Sequence, residues 1–495
     1  MQINEDRLIR QLEGIKKWQY SKKYGSPKNG CGTLHYPTGM GKTYTTLLII
    51  NKIIDNINKY NLDIYDYIAH ITVPTEELYN QWINEIKIHI KKEYHEKIEV
   101  RIINTVVSRL ERYTAILNVC DEVHKYYTED RFKVVDGTII KYDYLLCLTA
   151  TPIDSNDRHR QLYKICPIVD YVDEDLAIKK GWISKFVEYN LGIELSEDER
   201  VKYNKLSGHI TNFLEKFGNK GLPLAQKCLG GGKDSTGQFY TPYQWCQSWA
   251  AENGFNPNIQ GYQEYHPKAI ISDAKTLMQL VRDRKNLVYN SNLKIGTSIA
   301  LLDKFKDLKT ICFSQSTDFA TRLGNAINKH YTTEENSKDL FNKLESEVCV
   351  IYHSKLETRK LPSPKTGKII KFAAKRLKDR AIDRIKTGKS RIISSASALD
   401  AGFDVRDIRL GLTTSGTQNP TQYKQRGGRV KRIEVYDEDI TVLLVNIYFK
   451  NTIDESSLKY RQKFSTHNIN YVESIDDIHY IPPTIKNKVK QTKLL

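Results

Sequence analysis

The segment PTGMGKT, Pro37 to Thr43, carries residues that suit phosphate chemistry. Gly39 and Gly41 let backbone N–H groups turn inward toward phosphate oxygens. Lys42 offers an ammonium to the β- and γ-phosphates, and Thr43 a hydroxyl to Mg²⁺. Thr38 opens this core. The strict pattern G-x-x-x-x-G-K-[ST] asks for a glycine where Tyr36 stands. Taken alone, the segment therefore reads equally as a loop that happens to contain Gly-Lys-Thr. Its setting favours a site. GTLHY precedes it as a strand, and TYTTLLIINKIIDNI follows at helical spacing. The helix N-terminus then adds partial positive charge beside the loop.

Three further stretches bear on that site. AILNVCDEVH is an apolar strand ending in Asp121-Glu122. An aspartate there can hold a water on Mg²⁺, and a neighbouring glutamate can polarise the attacking water. The same pair also fits a solvated strand end, and His124 reads as a surface histidine. LTATP closes another strand with small hydroxyl residues. QYKQRGGRVKR places Gln425, Arg426, Arg429 and Arg432 within eight positions. Arg429 and Arg432 are three apart and share a face of a helix. Guanidinium groups arriving from a second domain stabilise charge on a transferring phosphoryl group. Without a phosphate site, the same run is a basic helix on a basic protein.

The elements that must position these residues follow from periodicity. Over residues 1–190, short apolar runs (GTLHY, YIAHITVP, KIEVRIIN, AILNVCDE, YLLCLTATP) alternate with amphipathic helices. In EELYNQWINEIKIHIKK, Leu78, Trp82 and Ile86 share a face. Such alternation predicts a parallel sheet covered on both faces. Residues 191–295 read as a helical insert, with a capped start at LSEDE and a flexible loop at CLGGGKDSTGQ. Its aromatics Tyr240, Tyr243, Trp245 and Trp249 either stack on bases or, more simply, fill the insert's core. A second α/β pattern spans 296–450, with a basic loop at RKLPSPKTGKIIK. Residues 451–495 read as a charged helical tail. The fold class is α/β, with two parallel-sheet domains in tandem, a helical insert and a short tail.

The chain has 495 residues, 40% hydrophobic and 27% charged, with a formal net charge of +17. That excess suits a polyanionic partner, although general lysine enrichment produces it too. No apolar run reaches the roughly 18 residues that span a bilayer. The N-terminal MQINEDRLIRQLEG lacks the apolar core of a secretory signal, so a cytoplasmic location is expected. Eight cysteines form no C-x-x-C pair and no cluster with zinc-ligand spacing, which points to buried free thiols.

Together the stretches resemble the ordered motifs of superfamily 2 helicases and translocases. PTGMGKT is similar to motif I and VPTEELYNQW to motif Ia. INT around Thr105 resembles the next DNA-contacting motif. DEVH is similar to motif II, TATP to III, TICFSQS to IV, ALDAGFDV to V and QRGGRVKR to VI. The resemblance covers roughly residues 1–190 and 296–450. It is closest to the branch with XPB-like and UvsW-like proteins and type III restriction subunits, and TSGTQNPTQYKQRGGRVKR is particularly like phage members. It implies two RecA-like domains, ATP and Mg²⁺ as cofactors, and DNA (single-stranded, forked or branched) as partner, with RNA less favoured. By the same resemblance, Lys42 and Thr43 hold phosphate and Mg²⁺, and Asp121 holds the ion through water. Glu122 activates water, Arg429 and Arg432 are the fingers, and Gln425 faces the γ-phosphate. Gln11 is the candidate adenine reader, though LIRQLEGIKKW departs from the usual arginine–x–tyrosine–glutamine order. Thr75, Thr105, Ser314 and Ser397 are candidate contacts to a nucleic-acid backbone. The insert adds charge through Arg282, Arg284 and Lys285. The expected activity is ATP-dependent strand translocation or unwinding. The alternatives are a duplex translocase that separates no strands and a binding scaffold with an idle ATPase.

Overall fold

In a computed structural model the described residues are 5–62, 66–109, 112–150, 157–218, 221–234, 236–255, 265–332, 346–362, 368–396, 405, 407–430, 441–463, 465 and 467–480. The first sheet is built from β1 (Cys31–His35), β2 (Tyr67–Val73), β3 (Ile98–Ile102), β4 (Tyr113–Cys120), β5 (Ile140–Thr149) and β6 (Ile168–Tyr171). Its order is β3-β2-β4-β5-β1-β6, and every neighbouring pair is parallel. Ile68, Ala69, Ile71 and Val73 of β2 are all buried, as expected for strands covered on both faces. The covering helices include α1 (Glu5–Gln19), α2 (Lys42–Tyr60) and α3 (Glu76–His89). Leu78, Trp82 and Ile86 of α3 pack into the core on one face, as their spacing predicts.

All five sequence stretches expected to carry chemistry in this half leave the sheet at its C-terminal edge. The register sets His35 against Thr149, Thr72 against Cys120 and Val73 against Ile102. The ends of these strands therefore line one rim, where ligands of open parallel sheets bind.

After β6 the chain leaves the first sheet, and β7 (Lys185–Ile193) belongs to the second. The boundary expected near residue 190 thus falls inside a strand of the second domain. Polar Glu188 and Asn190 conceal that strand in the sequence; both are buried.

Residues 192–298 and 448–457 form a compact unit of their own. Its helix Glu197–Phe217 begins at a capping box in which Ser196 and Glu199 bond reciprocally, as LSEDE predicts. Its core gathers Ile210, Phe217, Leu224, Cys246, Trp249 and Leu277. The stretch expected as a flexible loop is a hairpin, β8 (Gly232–Lys233) against β9 (Phe239–Tyr240). Asp234 closes it by accepting from the N–H groups of Thr236 and Gln238 at 2.8 and 3.0 Å. The aromatic run that follows contains the helix Pro242–Glu252, started by a Thr241–Gln244 capping box and Pro242.

The second sheet uses β10 (Thr310–Ser314), β11 (Cys349–His353), β14 (Ile392–Ala396), β15 (Leu410–Thr413), β16 (Thr441–Phe449) and β17 (Ile469–Val472), in the order β11-β14-β10-β15-β16-β7-β17. The segment expected as a basic loop instead forms a separate antiparallel hairpin, β12 (Arg359–Pro362) against β13 (Ile369–Phe372). The expected charged helical tail is also revised. It supplies the helix Ile453–Gln462 and then β17, which pairs in parallel with β7. Two parallel-sheet domains with helices thus form the RecA-like pair. All eight cysteines are free and buried.

Candidate functional site

The phosphate loop needs left-handed backbone at two positions, and both hold glycine. Gly39 has φ 94° and Gly41 φ 90°. A Cβ at Gly41 would lie 2.5 Å from Gln11 Nε2. Tyr36 has no positive φ, so glycine is not required there. Its ring is fully buried, and its hydroxyl donates to Asp170 Oδ2 at 2.6 Å. Arg10 and Lys17 from α1 donate to the same carboxylate at 2.7–2.8 Å. Those bonds hold Asp170 below the usual carboxylate range despite its burial. The first glycine of the strict pattern is thus replaced by a strut that ties the loop to α1 and β6. On α1, buried Gln11 donates from Nε2 to the Met40 carbonyl at 2.8 Å. Lys42 opens α2 and donates to the Tyr36 carbonyl at 3.1 Å. Thr43 follows it, half-buried.

β4 delivers Asp121 and Glu122. On an extended strand adjacent side chains point to opposite faces. Glu122 instead adopts φ 50°, left-handed backbone that a non-glycine residue holds only at a cost of about 1–3 kcal/mol. The turn leaves both carboxylates in the field of Lys42. Asp121 is 5% exposed. Its Oδ2 accepts from Trp82 Nε1 at 2.9 Å, and its Oδ1 from the Glu122 N–H at 2.9 Å. Burial, reinforced by Glu122, pushes its pKa up to about 6. Burial pushes Glu122 upward as well, but Lys42, His124 and Arg429 outweigh it and hold Glu122 below its ordinary value.

His124 is not the surface residue its sequence context suggests. Its side chain is 8% exposed, because the turn after Glu122 folds it back over the end of β5. Nδ1 lies 3.2 Å from Thr149 Oγ1 and 3.4 Å from Glu122 Oε2. Nε2 lies 3.5 Å from Gln425 Nε2. Burial lowers its pKa to about 4, leaving a neutral ring at ordinary pH.

The arginine run lies on the helix Pro420–Val430. Arg429 is 5% exposed, and its charge acts on Glu122. Arg426, from the same cluster, points elsewhere. It donates to the Ser415 and Ser314 carbonyls at 2.9 and 3.1 Å and braces the ends of two strands. Gly428 lies against the phosphate loop, where a Cβ would fall 2.4 Å from Thr38 Cβ. Arg432 lies outside the described residues, as does Ser397. Tyr423, two residues before Gln425, donates to buried Glu188 Oε2 at 2.5 Å. His467 lies 2.6 Å from that oxygen, while Asn446 and Gln462 donate to Oε1 at 2.7 and 2.8 Å. This network, invisible in the sequence, fixes the helix against β7 and the C-terminal segment.

The candidate backbone contacts separate. Thr75 caps α3 by accepting from the Leu78 N–H. Thr105 is half-buried in the short helix Ile103–Ser108. Ser314 is 1% exposed, and its hydroxyl donates to the Ser316 and Ser395 carbonyls. Its hydroxyl is therefore turned inward and spent on the protein's own backbone.

Among the described residues, no group of three or more His, Cys, Asp or Glu side chains could hold a metal ion. No helix among them is long and apolar enough to cross a membrane.

Residues 7–154 match the type III restriction enzyme res subunit model, and residues 293–434 match the helicase conserved C-terminal domain. A DNA 3'-5' translocase, XPB2 of Sulfurisphaera tokodaii, is 22% identical over 462 residues, covering 90% of this chain and 82% of that protein. The Hef helicase domain of Pyrococcus furiosus superposes with a TM-score of 0.46 at 15% identity, over 90% of this chain and 98% of that one. S. cerevisiae Dbp5 bound to RNA and ADP BeF3 gives 0.46 at 13%, over 94% of each. With the motifs and both domain matches in one order along the chain, it belongs to superfamily 2 of helicases and translocases, a family of ATPases.

Proposed function

We propose that this chain is an ATP-driven DNA motor that moves along one strand of its track. The observation that carries it is the meeting of Arg429, Gln425 and Gly428 with Glu122, His124 and Thr38. A charge-stabilising arginine from one α/β domain faces the carboxylate of the other, as transfer of a γ-phosphoryl group to water requires. In this reading Lys42 and the loop N–H groups of Gly39 and Gly41 hold the phosphates. Gln11 braces the loop beside the base. Arg432 would be a second finger.

Mg²⁺ fits the residues present. Asp121 keeps lone pairs beyond its two accepted bonds, and Glu122 Oε2 is buried with no hydrogen-bond partner among the described residues. With Thr43 and Asp121 near it, the ion would neutralise phosphate charge. Glu122, kept ionised by Lys42 and Arg429, accepts the proton of the attacking water.

DNA rather than RNA is favoured by similarity to a DNA translocase, and the same likeness favours 3'-5' movement. Translocation on duplex without strand separation is the second reading; the similar protein is called a translocase, not a helicase. Thr75 and Thr105 are the remaining backbone contacts for the first domain, at the rim of its sheet. The test is ATPase activity of the Lys42→Ala and Glu122→Gln variants with single-stranded, duplex, forked and four-way DNA, and with RNA alongside. Both variants should lose turnover; undiminished hydrolysis in both sinks the site. Strand-displacement and triplex-displacement assays on substrates of either polarity then separate unwinding from translocation.

A further inference from the structure

The aromatic residues of the insert divide into two sets. Trp249 is 5% exposed and belongs to the core. Trp245 is half-buried and acts as a staple. Its Nε1 donates to the Gly232 carbonyl at 3.1 Å, its ring stands 5.4 Å from that of Tyr240, and Lys227 Nζ lies 4.1 Å from its centroid. These contacts fasten the β8–β9 hairpin to the helix Pro242–Glu252. What the assembly leaves outside is Phe239, 60% exposed, and Tyr243, 43% exposed.

Neither ring contributes to the core, yet both stand on rigid backbone. Phe239 closes a hairpin whose turn is pinned by Asp234, and its ring edge would be 3.1 Å from a Cβ at Gly231. Tyr243 sits in the first turn of a helix with a complete capping box. The hairpin register pairs Phe239 with exposed Lys233, so ring and ammonium share a face. Lys227 adds a second cation beside the staple. The turn's carboxylate, Asp234, is satisfied internally through Oδ1.

Exposed flat rings, one of them paired with a lysine, on an insert that carries a second lysine nearby suit a chain that alternates planar bases with phosphates. An apolar protein partner would gain little from the lysines. We propose that Phe239 and Tyr243 form a stacking platform for the unpaired bases of single-stranded DNA, with Lys233 and Lys227 against its phosphates. The choice of DNA rests on the motor reading above; the platform itself does not.

The test uses the full chain and a fluorescent dT20, with duplex DNA and rU20 as parallel arms. Stacking contributes about 1–3 kcal/mol per base, so Phe239→Leu and Tyr243→Leu should each weaken dT20 binding roughly 5- to 150-fold. Phe239→Trp should retain it, since a larger ring stacks as well. The leucine variants should leave the salt dependence unchanged, whereas Lys233→Ala should reduce the log–log salt slope by about 0.7. Duplex affinity and ATPase without DNA should not change. Wild-type dT20 binding by both leucine variants, or equal behaviour of Phe239→Leu and Phe239→Trp, overturns the platform. A larger loss on rU20 than on dT20 overturns the assignment to DNA. If the platform fails while Lys42→Ala still abolishes DNA-stimulated ATPase, the motor reading stands alone.

Discussion

The indole of Trp82 donates a 2.9 Å hydrogen bond to Asp121, the carboxylate at the end of β4. Trp82 is fully buried on α3, so a helix outside the phosphate loop orients the aspartate of the site. Indole N–H only donates. It therefore occupies one oxygen of Asp121 and favours the ionised form.

Trp82→Phe keeps most of the ring volume and removes that donor. Hydrogen bonds to charged groups contribute about 1.5–3 kcal/mol. The variant should remain folded but require roughly tenfold more Mg²⁺ for half-maximal ATPase, with thermal stability reduced. A Mg²⁺ titration beside a melting curve checks this. An unchanged Mg²⁺ requirement would show that the bond is purely structural.

If Asp121 holds Mg²⁺ as proposed, protons and the ion compete for it. Because burial and Glu122 raise its pKa to about 6, protonation begins well above the ordinary aspartate range. The half-saturating Mg²⁺ concentration should rise as pH falls through about 6 and level off above 7. Glu122 is held below its ordinary value, so its own protonation belongs to lower pH. Mg²⁺ titrations of ATPase at pH 7.5, 6.5 and 5.5 measure the effect. A flat response across that window contradicts it.

Gly428→Ala places a Cβ 2.4 Å from Thr38 Cβ. The arginine helix and the phosphate loop must then separate. Overpacking costs about 1–3 kcal/mol, so the arrangement that holds this helix against the loop should be populated roughly 5- to 150-fold less. Turnover should fall while far-UV circular dichroism stays unchanged. Normal turnover would mean that this contact is not needed for hydrolysis.

Glu188→Ala removes the acceptor of buried bonds from Tyr423, Asn446 and Gln462 and the partner of His467. Breaking a buried charged network costs about 3–5 kcal/mol. The folded pKa of Glu188 lies below its unfolded value near 4.5, because His467 and Tyr423 outweigh burial. Its stabilisation is thus in place above about pH 4.5 and is lost as pH falls through the lower folded value. Denaturant unfolding of wild type and variant at pH 7 and pH 4 should show the difference narrowing at the acid end.

By itself the sequence determined the two sheets, the covering helices and the order of the motifs. Strands covered on both faces are mostly apolar, and helices over them repeat every 3.6 residues, so GTLHY, YIAHITVP and the Leu78–Trp82–Ile86 stripe could be read directly. Glycine at 39 and 41 was legible for a similar local reason: only left-handed backbone demands it. The tertiary structure alone decided what meets across long separations. Tyr36 could replace a glycine because Asp170, 134 residues away, receives its hydroxyl. His124, unremarkable in its own segment, gains its place from Thr149 and Gln425. β7 escaped periodicity because Glu188 and Asn190 are polar residues made buriable by partners up to 279 residues distant. A pattern in sequence reports which face is apolar. Only the folded chain reports which polar group has found the partner that lets it lie inside.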